Sequence, residues 1–388
     1  MGTVICRILS LFSREKNGRS IEASPRRILI ILLSEMGSLV LAQPMFQRIR
    51  EKFPAASIHV LLFAKNREIL DLMEVIPYEN VLTISDQSPL RFVKDSLHVL
   101  KQMRALRFDT VIDCELFARI SSIFSFFSGA SIRAGFHRHT MEGLYRGDFI
   151  NRPALYNPYR SITDQFVGLA DVIDSNSMPK NKFPVASRNW KIPRIDIGES
   201  EIAQMERRLY KDFSNIQGKK LALLYPSGGI LPMRAWPLEY FCDLAKGLIH
   251  QGYAVGIIGL KEDDKLAQVI LSHCGNSSCI NLAGYTKSIR ELLILFHVAA
   301  LLVTNDGGPG QFAALTPVKS ILFYGPETPL LYGPLGGESH IFYNALSCSP
   351  CLTAYNHRKT PCDGDNICLK SISPEEVLEK ALSILSQS

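Results

Sequence analysis

The stretch from Leu301 to Gly336, LLVTNDGGPGQFAALTPVKSILFYGPETPLLYGPLG, limits the fold of this chain more than any other part of it. Leu301, Leu302 and Val303 form an apolar run without helical periodicity, which suits a strand covered on both faces in a parallel sheet. Asn305 and Asp306 end the run. Gly307, Gly308 and Pro309 then allow a tight turn into a helix through Gln311, Phe312 and Ala314, with Pro309 in the first turn, where a missing N–H costs nothing. A second apolar run, Val318 to Phe323, follows. Such a unit puts N–H groups and a positive helix end at the carboxyl edge of a sheet, where a phosphate can sit.

The same alternation recurs along the chain. Arg27 to Leu33, RILIILL, reads as a first central strand, and Leu39, Ala42, Phe46 and Ile49 have the spacing of a helix lying on the sheet. Further strands are expected at Ile58 to Phe63, Val81 to Ser85 and Asp109 to Cys114, with a helix from Pro89 to Leu106. In the second half, Leu221 to Tyr225 runs into a loop at Ser227, Gly228 and Gly229, and Tyr253 to Leu260 and Ile280 to Ala283 are also expected strands. Ser288 and Glu291 form a capping box. Strands alternating with helices predict an α/β protein with two Rossmann-like, doubly wound parallel sheets. The expected organisation is a leader over 1–24, a first domain over 25–175, a Pro-, Ser- and Asn-rich linker over 176–199, a second domain over 200–372 and a closing helix over 373–388.

Composition removes several classes. The 388 residues carry a net charge of only +6 with no basic stripe interleaved with aromatics, so nucleic acid is not an expected partner. The mild positive balance suits work beside anionic lipid. No apolar run approaches the roughly 18 residues that span a bilayer. The leader lacks a small-residue cleavage site, and Cys6 occupies the Ser/Thr position of a myristoylation motif. It reads as a frayed segment, with an interfacial helix as the alternative. Nine cysteines include a cluster, Cys348, Cys351, Cys362 and Cys368, with His357 inside. Only its first pair has the two-residue spacing of a zinc knuckle, so a reduced thiol-rich loop is expected rather than a metal site.

The run NDGGPGQFAALTPVKSILFYGP, with GPLG shortly after, resembles the C-terminal signature of glycosyltransferase family 9, the heptosyltransferase family of lipopolysaccharide core synthesis. That signature is close to D-(S/T)-G-x-x-H-x-A-A, then T-P and a strand ending F-G-P-T. LIILLSEMGSLVLAQPMFQRIREKFP, FDTVID, RAGF and RAWP resemble four further family positions, and the likeness runs from about residue 26 to the C-terminus. The resemblance implies a GT-B architecture of two Rossmann-like domains facing across a cleft, the first binding acceptor and the second nucleotide sugar. It implies no cofactor, a nucleotide-diphosphate sugar such as ADP-heptose as co-substrate, and a lipid-linked or lipopolysaccharide-core acceptor at the cytoplasmic face of the inner membrane.

Candidate donor-binding residues are Ser227, Gly228, Gly229, Arg234, Asp263, Asn305, Asp306, Gly307, Gly308 and Gln311. The glycines let backbone N–H groups approach a diphosphate, and Arg234 offers a guanidinium fork where the family has Lys. Asp306 either meets the ligand or caps the helix after it. Asp263 falls near the family's ribose-binding acid, with Glu262 and Asp264 as rivals. Acceptor-side candidates are Ser34, Gly37, Ser38, Asp113 and Arg133. Inverting transfer needs a base for the acceptor hydroxyl. The family's base, an Asp, is replaced by Ser38, so either Glu35 is the base or the chain binds nucleotide sugar without catalysing; Asp113 and Glu115 come after Glu35 in order. Gly307 replaces the family's Ser/Thr and Gln311 its His, which makes this a divergent member. A dinucleotide-dependent oxidoreductase would need G-x-G-x-x-G directly after a strand, which neither half supplies.

Overall fold

The computed structural model describes residues 2–13, 24–33, 35–116, 118–136, 145–175, 190, 192, 194–336, 339–353, 356, 359–362 and 365–386. Two compact units divide the chain, one built from residues 1–191 and 354–357 and one from 192–353 and 358–388.

The first unit holds six strands: β1 (Arg27–Ile31), β2 (Ser57–Phe63), β3 (Val81–Ile84), β4 (Thr110–Asp113), β5 (Ile132–Phe136) and β6 (Arg152–Ala154). Every pairing is parallel and the order is β3-β2-β1-β4-β5-β6. The order reverses between β1 and β4, so the loops after these two strands diverge and leave an opening at the carboxyl edge, where ligands of such sheets bind. Ile28 to Ile31 are fully buried because helices cover both faces, the reason this strand is unbroken apolar rather than alternating.

The second unit repeats the plan with β7 (Leu221–Tyr225), β8 (Ala254–Gly259), β9 (Cys279–Ala283), β10 (Leu301–Asn305), β11 (Lys319–Tyr324) and β12 (Ser339–Tyr343), all parallel in the order β12-β11-β10-β7-β8-β9. Its reversal lies between β7 and β10. Trp236, Phe241, Phe323 and Val303 belong to one core under this sheet, and the Trp236 and Phe323 rings stack at 4.5 Å. The closing helix Pro374–Leu385 is part of that core through Val377, Ala381 and Leu385.

Four expectations are corrected. The single helix expected after β1 is two, Met36–Leu41 and Gln43–Lys52, because Pro44 cannot donate the N–H that continuity requires. The leader is not frayed: Gly2–Ser13 is a helix docked on the helix Arg119–Phe127, with Cys6 fully buried. Ser10 Oγ donates to the Cys6 carbonyl at 2.8 Å and accepts the Asp148 N–H at 3.0 Å. The end of the expected linker is structured, since Ile195 and Ile197 are buried and the Ile195 N–H donates to Leu315 O at 3.0 Å; residues 176–189 lie outside the described residues. Edge strands β6 and β12 were not expected. β6 is only three residues long and begins Arg152-Pro153, tolerable where one side of the strand has no partner to bond.

Candidate functional site

At the β1–β4 edge, Glu35 is exposed and is the N-cap of the helix Met36–Leu41, with extended backbone (φ −131, ψ 138) and no capping bond from its side chain. Ser38 is in the first turn of that helix, and its N–H donates to Glu35 O at 3.1 Å. Gly37 lies between them, half-buried; Ser34 lies outside the described residues.

The neighbouring acids are differently placed. Asp113 is 0% exposed at the end of β4, ion-paired with Arg146, and accepts the Glu115 N–H at 3.1 Å. Arg146 also donates to Glu115 O (2.6 Å), Ala118 O (3.0 Å) and Ser121 Oγ (2.9 Å). Burial pushes the Asp113 carboxyl above its ordinary value, with Arg146 opposing the shift. Glu115 is buried too, and its Oε1 accepts the Leu33 N–H at 2.7 Å, which ties the loop after β4 to the end of β1. Arg133 is buried in β5 and donates to the carbonyls of Phe149 (2.5 Å) and Ala130 (2.6 Å). Asp113 and Glu115 therefore hold this edge together, whereas Arg133, paired with Val111 near the start of β5, lies away from it, and of the three carboxylates near the β1–β4 reversal it is Glu35 that faces solvent. Sequence reasoning missed Arg146, which lies where the family likeness is weakest and carries no local motif.

At the β7–β10 edge the glycine loops meet. A Cβ on Gly228 would come within 2.8 Å of Leu231 O, so the loop closes only around glycine, and Gly229 has φ +61. Ser227 Oγ accepts the Gly229 N–H at 3.2 Å. Asn305, at the end of β10, is fully buried. Its Nδ2 donates to the carbonyls of Pro226 (3.0 Å) and Ser227 (3.1 Å), and its Oδ1 accepts the Trp236 N–H at 2.8 Å. This clamp fixes the first glycine loop and the Arg-Ala-Trp segment against β10, so Asn305 positions the site, where sequence had suggested contact with a donor.

Arg234 ends the 3-10 turn Pro232–Arg234, and its Nη1 lies 3.4 Å from Asp306 Oδ2 and 3.5 Å from Glu327 Oε2. Its Nε is buried without a hydrogen-bond partner among the described residues. Asp306 does not cap the helix Gly308–Ala313; Gly307 is the N-cap, extended, and the Asp306 carboxylate goes to Arg234. Gly308 opens that helix. Glu327 was missed, although it stands in the same signature stretch. Tyr324, buried beside these acids, has its phenol pushed well up by burial and by the Asp306 and Glu327 charges. Gln311 is buried and its Nε2 donates to Tyr332 O at 2.7 Å, bracing the next loop, while its Oε1 is buried without a hydrogen-bond partner among the described residues. Asp263 sits beyond β8, half-buried, accepting the Leu260 N–H at 2.8 Å; Asp264 pairs with Asn281 at 2.7 Å and Glu262 is exposed.

The cysteines Cys348, Cys351, Cys362 and Cys368 are free thiols, the first and third exposed and the last buried. Among the described residues no three His, Cys, Asp or Glu side chains converge at metal-binding distance; His357 lies outside them. No described helix is long and apolar enough to cross a membrane.

Comparison with known proteins agrees with this arrangement. Residues 96–360 match the model of glycosyltransferase family 9 (heptosyltransferase). Lipopolysaccharide heptosyltransferase 2 of Salmonella typhimurium is 26% identical over 373 residues, covering 93% of this chain and 99% of that protein. Among solved structures, the E. coli ADP-heptose lipopolysaccharide heptosyltransferase II superposes with a TM-score of 0.68 at 22% identity, covering 93% of this chain and 99% of the other. A family 9 glycosyltransferase from Veillonella parvula gives 0.71 at 19% identity, covering 95% and 99%. The two Rossmann-like units are those of the GT-B fold, the family pattern spans well over half of the sequence, and the protein belongs to glycosyltransferase family 9 (heptosyltransferase).

Proposed function

We propose that the protein transfers heptose, with inversion, from ADP-heptose to a lipopolysaccharide-core acceptor carried by lipid at the cytoplasmic face of the inner membrane. The observation that carries the donor assignment is the meeting of both glycine loops and Arg234 at the β7–β10 reversal. There the main-chain N–H groups of Gly228, Gly307 and Gly308 serve a diphosphate, Gly229 shaping the turn between them, and Arg234 turns its unpartnered Nε toward it as charge builds on the leaving ADP. Asp306 and Glu327 hold the guanidinium in place until then. Asp263 accepts from the ribose hydroxyls. In the first unit, Glu35 takes the proton of the acceptor hydroxyl as its oxygen bonds to the anomeric carbon and the bond to the ADP oxygen breaks. No step calls for a metal ion.

Two measurements test this reading. ADP-heptose at about 100 times its dissociation constant should stabilise the protein by roughly 2.7 kcal/mol in thermal unfolding, and a panel in which another nucleotide sugar alone gives the shift would reassign the donor. Arg234→Ala should weaken donor binding by about 1.5 to 3 kcal/mol, roughly ten- to a hundredfold, because a charge-assisted pair to phosphate is lost. Calorimetry showing unaltered ADP-heptose affinity in that variant would remove Arg234 from the donor site.

A further inference from the structure

The helix Gly2–Ser13 is docked the wrong way round for a core helix. Amphipathic surface helices bury their large apolar residues and show polar ones to water. Here the face turned into the unit carries Cys6 and Ser10 with Leu9 half-buried beside them, and Gly2 is so close to Arg119 that a Cβ would come within 2.9 Å of its Cδ. The opposite face shows Val4 (59% exposed), Ile8, Leu11 (69%) and Phe12 (66%) to solvent, at the i, i+4, i+7, i+8 spacing of one stripe. Exposing four large apolar side chains on one stripe while small polar ones are buried leaves apolar area that some apolar phase must cover.

A second helix, packed beside the same helix Arg119–Phe127, repeats the feature. Pro89–Leu106 exposes Leu90 (86%), Val93 and Leu97 along one stripe and buries Val99 and Met103. Val99 and Met103 share a core with Phe124 of the helix Arg119–Phe127, on which Gly2–Ser13 is docked, and Arg104 Nε donates to Phe127 O at 2.7 Å. Pro89–Leu106 and Arg119–Phe127 thus cover one face of the first sheet, and Gly2–Ser13 packs on the second of them. Their charges are one-sided: Arg7, Arg91, Lys94, Lys101 and Arg104 are exposed, whereas the single acid of the three helices, Asp95, is half-buried and accepts the Ser85 N–H at 3.0 Å. Pro89–Leu106 starts just after the carboxyl end of β3, so Leu90 and Val93 lie toward the sheet edge that carries Glu35.

We infer that this face, formed by Val4, Ile8, Leu11 and Phe12 together with Leu90, Val93 and Leu97, seats the first unit on a bilayer that contains anionic lipid. Apolar side chains enter the boundary between headgroups and acyl chains while the flanking Arg and Lys meet the anionic headgroups. The inference rests on the proposed lipid-borne acceptor for its purpose: docking by this face keeps the first unit at the membrane surface from which such an acceptor projects.

Co-sedimentation of the full-length chain with phosphatidylcholine vesicles, with and without phosphatidylglycerol, tests it. Wild type should pellet with the anionic vesicles and about tenfold less with phosphatidylcholine alone. Ile8→Gln, Leu11→Gln and Phe12→Gln together should lower binding to anionic vesicles by about tenfold or more without changing the unfolding midpoint or the response to ADP-heptose, because the replaced side chains are exposed. Arg91→Glu with Lys94→Glu should remove the preference for phosphatidylglycerol. Wild type that stays in the supernatant, or a triple variant that pellets like wild type, overturns the inference. So does self-association of wild type that the same substitutions abolish while vesicles stay unbound, which would make this an interface between copies. Vesicle binding without transfer to any lipopolysaccharide acceptor would instead defeat the functional reading and leave the docking surface standing.

Discussion

Glu35→Gln is expected to lower heptosyl transfer by about 100-fold or more while leaving the affinity for ADP-heptose unchanged. The substitution keeps side-chain shape and most hydrogen bonding but removes the group that takes the acceptor proton. The competing carboxylates at this edge are buried: Asp113 lies fully buried against Arg146, and Glu115 has the Leu33 N–H on its Oε1. Neither can reach an acceptor hydroxyl without dismantling the link between β1 and β4. Glu35 is exposed, on extended backbone at a short helix N-terminus, where a carboxylate also gains roughly 0.3 to 1 kcal/mol from the helix dipole. If that were its whole role, the Gln variant would keep turnover within a few-fold and lose only a fraction of a kcal/mol in stability. Steady-state transfer to the acceptor, measured beside calorimetric donor binding, separates the two. Retained turnover would move the base to a group outside this edge, since the reserve candidates are structural.

Arg146→Ala should destabilise the protein by about 3 to 5 kcal/mol, because it leaves the Asp113 charge buried without its partner. The same change removes the donors that fix the Glu115 and Ala118 carbonyls, so the loop after β4 loses its anchor. Asp113→Asn added to Arg146→Ala should recover part of the loss, as an amide is far cheaper to bury than an unpaired carboxylate. The pH dependence has a definite sign. Burial already raises the Asp113 carboxyl, and removing Arg146 raises it further. A carboxyl raised in the folded state makes folding bind a proton, so its contribution is full below the ordinary carboxylate range and is lost as pH rises through the raised value. The gap between variant and wild type should therefore be widest near neutral pH and narrow on acidification. Denaturant unfolding at a neutral and a mildly acidic pH measures it; a gap that widens on acidification would contradict the assignment.

The sequence by itself determined the architecture, because it lies in local pattern. Unbroken apolar runs such as Ile28 to Ile31 and Leu301 to Val303 need a sheet covered on both faces, and the alternation of such runs with helical stretches leaves little but a doubly wound sheet. A glycine loop after β7 was legible too, from Gly228 and Gly229 following an apolar run, and the structure shows why Gly228 can be nothing larger. The strand ends were legible as well, since every strand of a parallel sheet points its carboxyl end to the same edge.

What only the tertiary structure decided is which of those side chains face a ligand and which hold the edge together. Asn305, Gln311 and Asp113 have the chemistry of binding residues, yet each is buried and bonded to main chain or to a buried partner, because a carboxyl edge is also where loops expose N–H and carbonyl groups that must be satisfied; Arg133 is buried near the start of β5, away from that edge. Arg146 and Glu327 meet their partners across 33 and 93 residues of chain, a separation that no window of local sequence can register. The leader was misread for the same reason. Its periodicity marks an apolar stripe but not whether that stripe lies in or out, and only the burial of Cys6 and Ser10 against the first unit shows that it points out.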